Sequence, residues 1–121
     1  MANFQIIDTT SLPWAPHRTF PNVSACTVVD AATGGDVEVK SIRIAPGGEI
    51  GMHIHEGSAE TFYILKGEGL ICTEDQVQPC HPGVCVHAKS GLAHGIKNTG
   101  EGELQLLAVF TPPVGQARKN P

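Results

Sequence analysis

The stretch Pro46–Gly69, PGGEIGMHIHEGSAETFYILKGEG, places two histidines and a glutamate between glycine-containing turns. His53 and His55 are two residues apart. On a β-strand such residues lie on the same face, so both imidazoles can point at one atom. Glu60 begins the next apolar segment after the short turn Glu56–Ala59, and an antiparallel hairpin would return its carboxylate beside the histidines. The stretch therefore predicts a β-hairpin that carries part of a metal site.

Short apolar or β-branched segments recur on both sides of this hairpin, with glycine and proline turns between them. No window of 12 or more residues keeps a helical period without a glycine or proline. Repeated strands of five to nine residues are typical of an all-β sandwich or barrel. The predicted strands are Ala25–Asp30, Val37–Ala45, Glu49–Ile54, Glu60–Lys66, Gly69–Glu74, Val84–Ala88, His94–Asn98 and Glu103–Phe110.

The length of 121 residues favours a single domain. Residues 1–22 contain three prolines and predict an N-terminal arm with one short strand, Phe4–Ile7. We expect this arm to pack on its own barrel or on that of a partner chain. Residues 23–113 form the predicted barrel, and residues 114–121 form a C-terminal tail with a frayed end.

The composition excludes several classes of function. The formal charge is −4 and there are only eight Lys and Arg residues, so no nucleic acid partner is expected. No apolar run approaches the roughly 20 residues of a membrane helix, so no membrane association is expected. The sequence carries no secretory signal, which favours the cytoplasm and reduced thiols. The cysteines are Cys26, Cys72, Cys80 and Cys85.

His94 begins another predicted strand and completes a set of donors if that strand lies beside the hairpin. Three imidazoles and one carboxylate suit a divalent transition metal ion: Mn, Fe, Co, Ni, Cu or Zn. In octahedral coordination such a set leaves two adjacent positions open, and open positions distinguish a ligand-binding or catalytic site from a closed structural one.

The same residues resemble the two motifs of the cupin superfamily. The separation of the motifs, residues 68–82, is the compact spacing of small single-domain microbial cupins. At the proline position of the second motif stands Lys89. The residues that match are Gly47, His53, His55, Glu60 and Gly67 in the first motif, and Gly83, Gly91, His94 and Asn98 in the second.

This resemblance implies a double-stranded β-helix, which is a small jelly-roll barrel closed by two sheets. It implies that one divalent transition metal ion is bound by His53, His55, Glu60 and His94. It also implies a homodimer, in which the arm Phe4–Pro21 would pair with the edge of the partner's sheet.

Strand alternation extends the site to candidate pocket residues. Phe62 and Ile64 share the face of Glu60, and Ile96 and Asn98 share the face of His94. The aliphatic and aromatic members of this set are equally well explained as packing residues. Lys89 is expected near the barrel mouth, either as a solvated turn lysine or as a counter-charge for an anionic ligand.

The stretch Cys80–His94, CHPGVCVHAKSGLAH, offers a competing metal site. A second site from Cys80, His81, Cys85 and His87 matches no closed zinc spacing and is the weaker alternative, as is a Cys80–Cys85 disulfide. The alternation of small apolar residues from Val84 to Ala88 predicts that Cys85 and His87 face away from the barrel interior.

Two functions remain open at this point. The first is a small metalloenzyme that acts on an oxygen-chelating small metabolite, of the isomerase, lyase or dioxygenase type. The second is a non-catalytic module that binds a sugar or another small metabolite. The sequence favours the enzyme by a narrow margin, although it identifies no proton-transfer residue. In both cases the expected partner is a small-molecule ligand or substrate.

Overall fold

The computed structural model describes residues 4–114, which form ten β-strands and two short helical turns. The helical turns are Thr9–Ser11 and α1 (Ala31–Gly34), and the side chain of Asp30 caps α1 by accepting from two backbone N–H groups. The strands are β1 (Ala15–Pro16), β2 (Val23–Val29), β3 (Glu38–Ile44), β4 (Glu49–His53), β5 (Ala59–Lys66), β6 (Gly69–Thr73), β7 (Val77–Cys80), β8 (Cys85–Ala88), β9 (His94–Asn98) and β10 (Leu104–Thr111).

The strands form two antiparallel sheets that pack face to face. The six-stranded sheet has the order β1-β2-β3-β10-β5-β8, and the four-stranded sheet has the order β4-β9-β6-β7. One hydrophobic core joins them, since Ile44 and Phe62 of the first sheet belong to the same cluster as Ile50, Ile71 and Ile96 of the second. The predicted all-β class and double-stranded β-helix are therefore confirmed.

Strict alternation along the central strands produces this core. On β5, Phe62 and Ile64 are buried while Tyr63 and Leu65 are about half exposed, so the faces predicted for this strand are confirmed. The neighbouring strand β10 follows the same rule. Its buried residues are Leu104, Leu106, Ala108 and Phe110.

The prediction of a strand at Phe4–Ile7 is wrong. Within the described chain this segment is paired with no strand, and its polar contact is a hydrogen bond from Gln5 Nε2 to the carbonyl of Thr33, at 2.9 Å. Residues of high β-propensity favour an extended backbone, but a strand also needs a ladder partner. The sequence analysis also predicted no strand at β1 or at β7, each of which contains a proline. β7 lies at a sheet edge, where a proline is tolerated.

The N-terminal arm folds back on the barrel of its own chain. Its strand β1 pairs with β2, and the Arg43 guanidinium lies 3.8 Å from the centroid of the Trp14 ring. Of the predicted tail, residues 114–121, only Val114 falls within the described residues. No helix in residues 4–114 has the length and hydropathy needed to cross a membrane.

Candidate metal centre

Four side chains converge on one point of the barrel interior. His53 ends β4, His55 follows it by two residues, Glu60 lies near the start of β5, and His94 begins β9. Their ligand atoms all lie within 4.8 Å of one another, and within residues 4–114 they form the one group of three or more such donors that converges in this way. The structure thus brings together all four residues singled out in the sequence.

A β-bulge in β4 turns the histidines inward. Ile50 lies opposite Ile96 and His53 lies opposite His94, so three steps along β4 match two steps along β9. With regular alternation Met52 would share the interior face of Ile50, but Met52 is 49% exposed. The extra residue re-aims the following side chains, as bulges beside functional sites commonly do.

Backbone carbonyls fix the orientation of two of the imidazoles. The Nδ1 atom of His53 lies 2.7 Å from the carbonyl oxygen of Gly51, and that of His94 lies 3.0 Å from the carbonyl oxygen of Leu92. A carbonyl only accepts, so each Nδ1 carries a proton and donates it. The Nε2 atoms are left to face the interior, which is the arrangement that outer hydrogen bonds give to metal-binding histidines.

Glu60 places a negative charge at the centre of the group. Its Oε1 atom lies 2.8 Å from His94 Nε2 and 3.3 Å from His55 Nε2, and the residue is 5% exposed. Burial raises the pKa of the carboxyl, but hydrogen bonds and charge interactions with His55 and His94 outweigh burial and lower the pKa to about 2. The carboxylate is therefore ionised at neutral pH and needs a cationic partner.

The histidines respond differently to this charge. Burial lowers the pKa of His53, which keeps its imidazole neutral and available as a ligand. Burial also lowers the pKa of His94, but the hydrogen bond and charge of Glu60, together with the Leu92 carbonyl, outweigh it and raise the pKa. The contact between Glu60 and His94 Nε2 thus requires a cation between them, either a proton or a metal ion.

Two serines that the sequence reading missed hold the turn between His55 and Glu60. The Ser58 hydroxyl is buried and donates to the carbonyl of Pro112, at 2.7 Å. The Ser90 hydroxyl accepts from Gly57 N at 2.7 Å and donates to the carbonyl of His55 at 3.4 Å. Turn serines are common, and nothing local in the sequence marks these two as partners of the site.

Three phenylalanine rings border the imidazoles and make the surroundings of the group apolar. Phe62 was expected from the alternation of β5, whereas Phe20 and Phe110 were missed. Ile64 and Ile96, also expected to line the pocket, are buried members of the core cluster. The ring pairs and their centroid separations are His55–Phe110 at 5.1 Å, Phe62–His94 at 6.3 Å and Phe20–His53 at 6.3 Å.

Asn98 lies at the opposite end of β9 from His94, roughly 13 Å away at about 3.3 Å per residue. Its amide donates to the carbonyls of Ile44 and Gly102, each at 2.9 Å, and its Oδ1 accepts from Gly100 N. These bonds satisfy the buried amide and hold the turn between β9 and β10. The structure therefore does not bring Asn98 to the four-residue group.

Lys89 is exposed in the turn between β8 and β9. Its carbonyl accepts from Leu92 N, and Gly91 N of the same turn donates to the carbonyl of His55 at 3.0 Å. The turn that carries Lys89 is thus fastened to one of the four residues, while the lysine side chain itself lies on the solvent side.

The competing donors of the second stretch do not converge. Cys80 is buried in the core, whereas His81, Cys85 and His87 are exposed, and the Nδ1 atom of His87 lies 2.8 Å from the Thr61 hydroxyl. The predicted outward orientation of Cys85 and His87 is confirmed. All four cysteines, which lie within the described residues, are free thiols, so the disulfide alternative is not realised there.

The donor set fits a divalent transition metal ion. Ligand atoms about 2.1 Å from an ion and at right angles to each other lie about 3 Å apart. The separations of Glu60 Oε1 from His94 Nε2 and His55 Nε2, 2.8 and 3.3 Å, bracket that value. Three imidazoles and a carboxylate suit Mn, Fe, Co, Ni, Cu and Zn alike, so the donors indicate a metal class and not one element.

Comparison with known proteins places this geometry in a family context. Residues 40–110, more than half of the chain and including all four donor residues, match the family model described as "Cupin domain". The chain is 40% identical over 69 residues to the oxalate-binding protein of Thermotoga maritima, an alignment that covers 57% of each protein. The chain thus spans little more than half the length of this curated relative.

Solved structures show the same fold over most of the chain. A crystal structure of a predicted oxalate decarboxylase from Thermotoga maritima has a TM-score of 0.82 and 26% identity, covering 89% of this chain and 99% of that one. The polyketide cyclase RemF from Streptomyces resistomycificus has a TM-score of 0.79 and 18% identity, covering 89% of this chain and 79% of that one.

Proposed function

The chain belongs to the cupin family, and on that premise we propose that it binds a small oxygen-chelating carboxylate of the oxalate class at a protein-bound divalent metal ion. His53, His55, Glu60 and His94 would hold the ion. The observation that carries the proposal is the convergence of three imidazoles on a buried, ionised carboxylate. Four protein donors leave room for two more ligand atoms in octahedral coordination, which suits a bidentate ligand.

The surroundings of the group favour binding of a compact ligand. The phenylalanine rings beside the imidazoles cannot transfer protons, but they exclude water and strengthen electrostatic attraction at the ion. The bound ion would act as a Lewis acid toward two ligand oxygens. Lys89 is exposed on a turn fastened to His55, and its ammonium group would have to approach an anionic ligand from the solvent side to act as a counter-charge. The likeness to an oxalate-binding protein supports this ligand class.

Metal analysis followed by calorimetry tests this function. We expect about one divalent ion per chain, and binding of oxalate that disappears after EDTA treatment and returns when the metal is restored. Acetate, which has one carboxylate, is the matched control and should bind much more weakly. Protein that contains no metal and takes none up, or that binds acetate as well as oxalate, would contradict the proposal.

Turnover of the bound carboxylate is the second candidate. It is supported by the likeness, at 26% identity, to a protein described as a predicted oxalate decarboxylase. Conversion of hydrogen oxalate to formate and carbon dioxide would be detected by formate release. Oxygen uptake would instead indicate a dioxygenase. Binding without formate release or oxygen uptake would favour the binding module over both enzymes.

Homodimer formation remains a further proposal. Phe4 and Ile6 are 74% and 91% exposed on a segment that pairs with no strand within the described chain. Such an extended apolar segment is suited to pairing with the sheet edge of a second copy. Light scattering should give the mass of a dimer, and a monomer would contradict the proposal.

A further inference from the structure

We propose that Phe20, which belongs to the N-terminal arm, is a positioning residue for His53 and closes the metal centre beside strand β4. Phe20 lies outside residues 40–110, so the family match does not account for it. The inference rests on the metal binding proposed above and adds a residue to it. The experiment below separates the two, because it measures metal uptake by the unaltered protein first.

Phe20 contacts both the histidine and the residue that orients it. Its ring is tilted by 53° against the His53 imidazole, with the centroids 6.3 Å apart. The ring also lies over Gly51, where an added Cβ would be 3.3 Å from Phe20 Cε1. Gly51 is the residue whose carbonyl accepts from His53 Nδ1. Phe20 therefore packs on the hydrogen-bonded unit that sets the direction of His53 Nε2.

His17 holds this ring in place from within the arm. The Nδ1 atom of His17 accepts from Thr19 N at 3.0 Å and from Phe20 N at 3.2 Å, and the His17 and Phe20 rings lie 5.0 Å apart. The backbone N–H of His17 donates to the carbonyl of Val23 at 2.8 Å. A side-chain acceptor for two successive backbone N–H groups fixes a tight turn, so the direction of the Phe20 side chain is set locally.

The other end of the turn is anchored to the barrel. Asn22 adopts a positive φ of 63°, and its carbonyl accepts from Ala45 N at 2.9 Å. An Asn is among the few non-glycine residues that adopt this conformation readily. With His17 bonded at one end and Asn22 at the other, residues 17–22 form a fixed loop across the edge of the four-stranded sheet.

Phe20 lies between His53 and a groove on the protein surface. The groove has a volume of about 280 Å³, and both Phe20 and Gly51 line it. Phe20 is partly buried against the hydrophobic core, and its ring lies between the groove and the His53 imidazole. Removal of the ring would free the imidazole to turn and would admit water to the metal centre from this side.

The test is metal exchange in full-length variants. Wild-type protein is first loaded with Co²⁺, and uptake is followed by the visible absorption spectrum. We expect Phe20→Ala to lower Co²⁺ affinity by about 10- to 100-fold, because replacement of a residue that orients a metal ligand typically costs this much affinity. We also expect faster removal of Co²⁺ by EDTA and a changed cobalt spectrum. Phe20→Leu, which retains an apolar side chain, should have a Co²⁺ affinity between those of the wild type and Phe20→Ala. It replaces Phe20→Ala in the test if that variant does not fold.

Trp14→Ala is the matched control. Trp14 is an aromatic residue of the same arm, but it packs against Arg43 and not against His53. Its loss should lower the melting temperature without altering cobalt affinity or spectrum. The same changes in Trp14→Ala as in Phe20→Ala would mean that the arm stabilises the fold in general, which would overturn the specific role of Phe20.

Variants of His17 provide a second, independent test. Asparagine offers an acceptor oxygen for the same backbone N–H groups, whereas alanine does not. His17→Ala should therefore resemble a mild form of Phe20→Ala, and His17→Asn should restore cobalt affinity. Wild-type protein that takes up no cobalt would overturn the proposed metal binding itself. Wild-type uptake with unchanged exchange in Phe20→Ala and Phe20→Leu would overturn only the role of Phe20.

Discussion

Strands β4 and β8 are each associated with two potential metal ligands that are two residues apart: His53 and His55 at and just beyond the end of β4, and Cys85 and His87 within β8. His53 and His55 face the barrel interior and meet Glu60, whereas Cys85 and His87 are exposed. Spacing alone places two donors on one face of a strand. What differs is which face the neighbouring apolar residues bury, so the apolar pattern and the strand pairing, and not the donors, decide which pair reaches the interior.

The two strands achieve their orientations by different means. β8 alternates regularly: partly buried Val86 and buried Ala88 face the core, and the donors Cys85 and His87 are directed outward. β4 breaks its alternation with a bulge after Ile50, and the break brings His53 to the interior face. A metal site on β4 therefore depends on a local irregularity, whereas an outer face on β8 follows from regular structure.

Replacement of an interior histidine should give the largest effect. We expect His53→Ala or His94→Ala to reduce the metal content from about one ion per chain to nearly none, since each removes one of four donors and its oriented Nε2. Elemental analysis after gel filtration measures this. Cys85→Ser is the control from β8 and should retain the metal. An equal loss of metal in that variant would mean that the metal site is not formed by the interior histidines alone.

Glu60 predicts a specific dependence of stability on pH in metal-free protein. The pKa of its carboxyl is lowered from 4.5 to about 2. The ionised carboxylate therefore adds to the free energy of unfolding above about pH 4.5, and this contribution is lost as the pH falls toward 2. That difference corresponds to on the order of 3 kcal/mol. His94 acts in the opposite sense: its raised pKa contributes stability that is present below about pH 6.5 and is lost as the pH rises through the raised value.

Urea unfolding of metal-free wild type and Glu60→Gln at several pH values checks this prediction. The free energy of unfolding of the wild type should fall steeply between about pH 4.5 and pH 2, and that of Glu60→Gln should fall less. Parallel curves would mean that the buried carboxylate does not gain its stability from the two histidines. Both proteins must be free of metal, because a bound ion stabilises the folded state separately.

The sequence predicted the pair His53 and His55 and the faces of the regular strands, because both depend on residues close together in the chain. His94 lies 41 positions from His53 and was assigned to the site through its match to the second motif. The alternation of β5 assigned Phe62 and Tyr63 to opposite faces, and the structure agrees. The bulge could not be predicted in this way. A bulge is defined by the pairing of β4 with β9, whose residues lie more than 40 positions away.

Contacts made by the arm were beyond the reach of the sequence for the same reason. Phe20 meets His53 across 33 positions of chain, and no local pattern marks it. The wrong prediction of a strand at Phe4–Ile7 shows that a local pattern can also predict an element that the fold does not form. Its residues favour an extended backbone strongly, but an extended segment becomes a strand only when a neighbour supplies hydrogen bonds.

Gly95→Ala tests the bulge itself. A Cβ at Gly95 would lie 2.8 Å from the carbonyl oxygen of Ile50, which is backbone and cannot move aside freely. We expect the variant to lose about 1–3 kcal/mol of stability and to bind metal more weakly, because β4 would be pushed away from His94. Gly102→Ala is the control, since nothing lies within 4 Å of its added Cβ and its stability should change by less than about 0.5 kcal/mol. Equal effects in both variants would mean that the bulge does not account for the loss of stability and metal binding.

The outer pair on β8 should give the smallest effects. Cys85→Ser and His87→Ala alter exposed side chains, so each should change the free energy of unfolding by less than about 0.5 kcal/mol and leave the metal content unchanged. Cys80→Ser is the useful contrast, because Cys80 is 3% exposed and burial of a hydroxyl costs about 1–3 kcal/mol, again without loss of metal. Stability and metal content would then respond to different residues. A double variant of Cys85 and His87 that lost metal would show that regular alternation does not exclude a strand's outer face from the site.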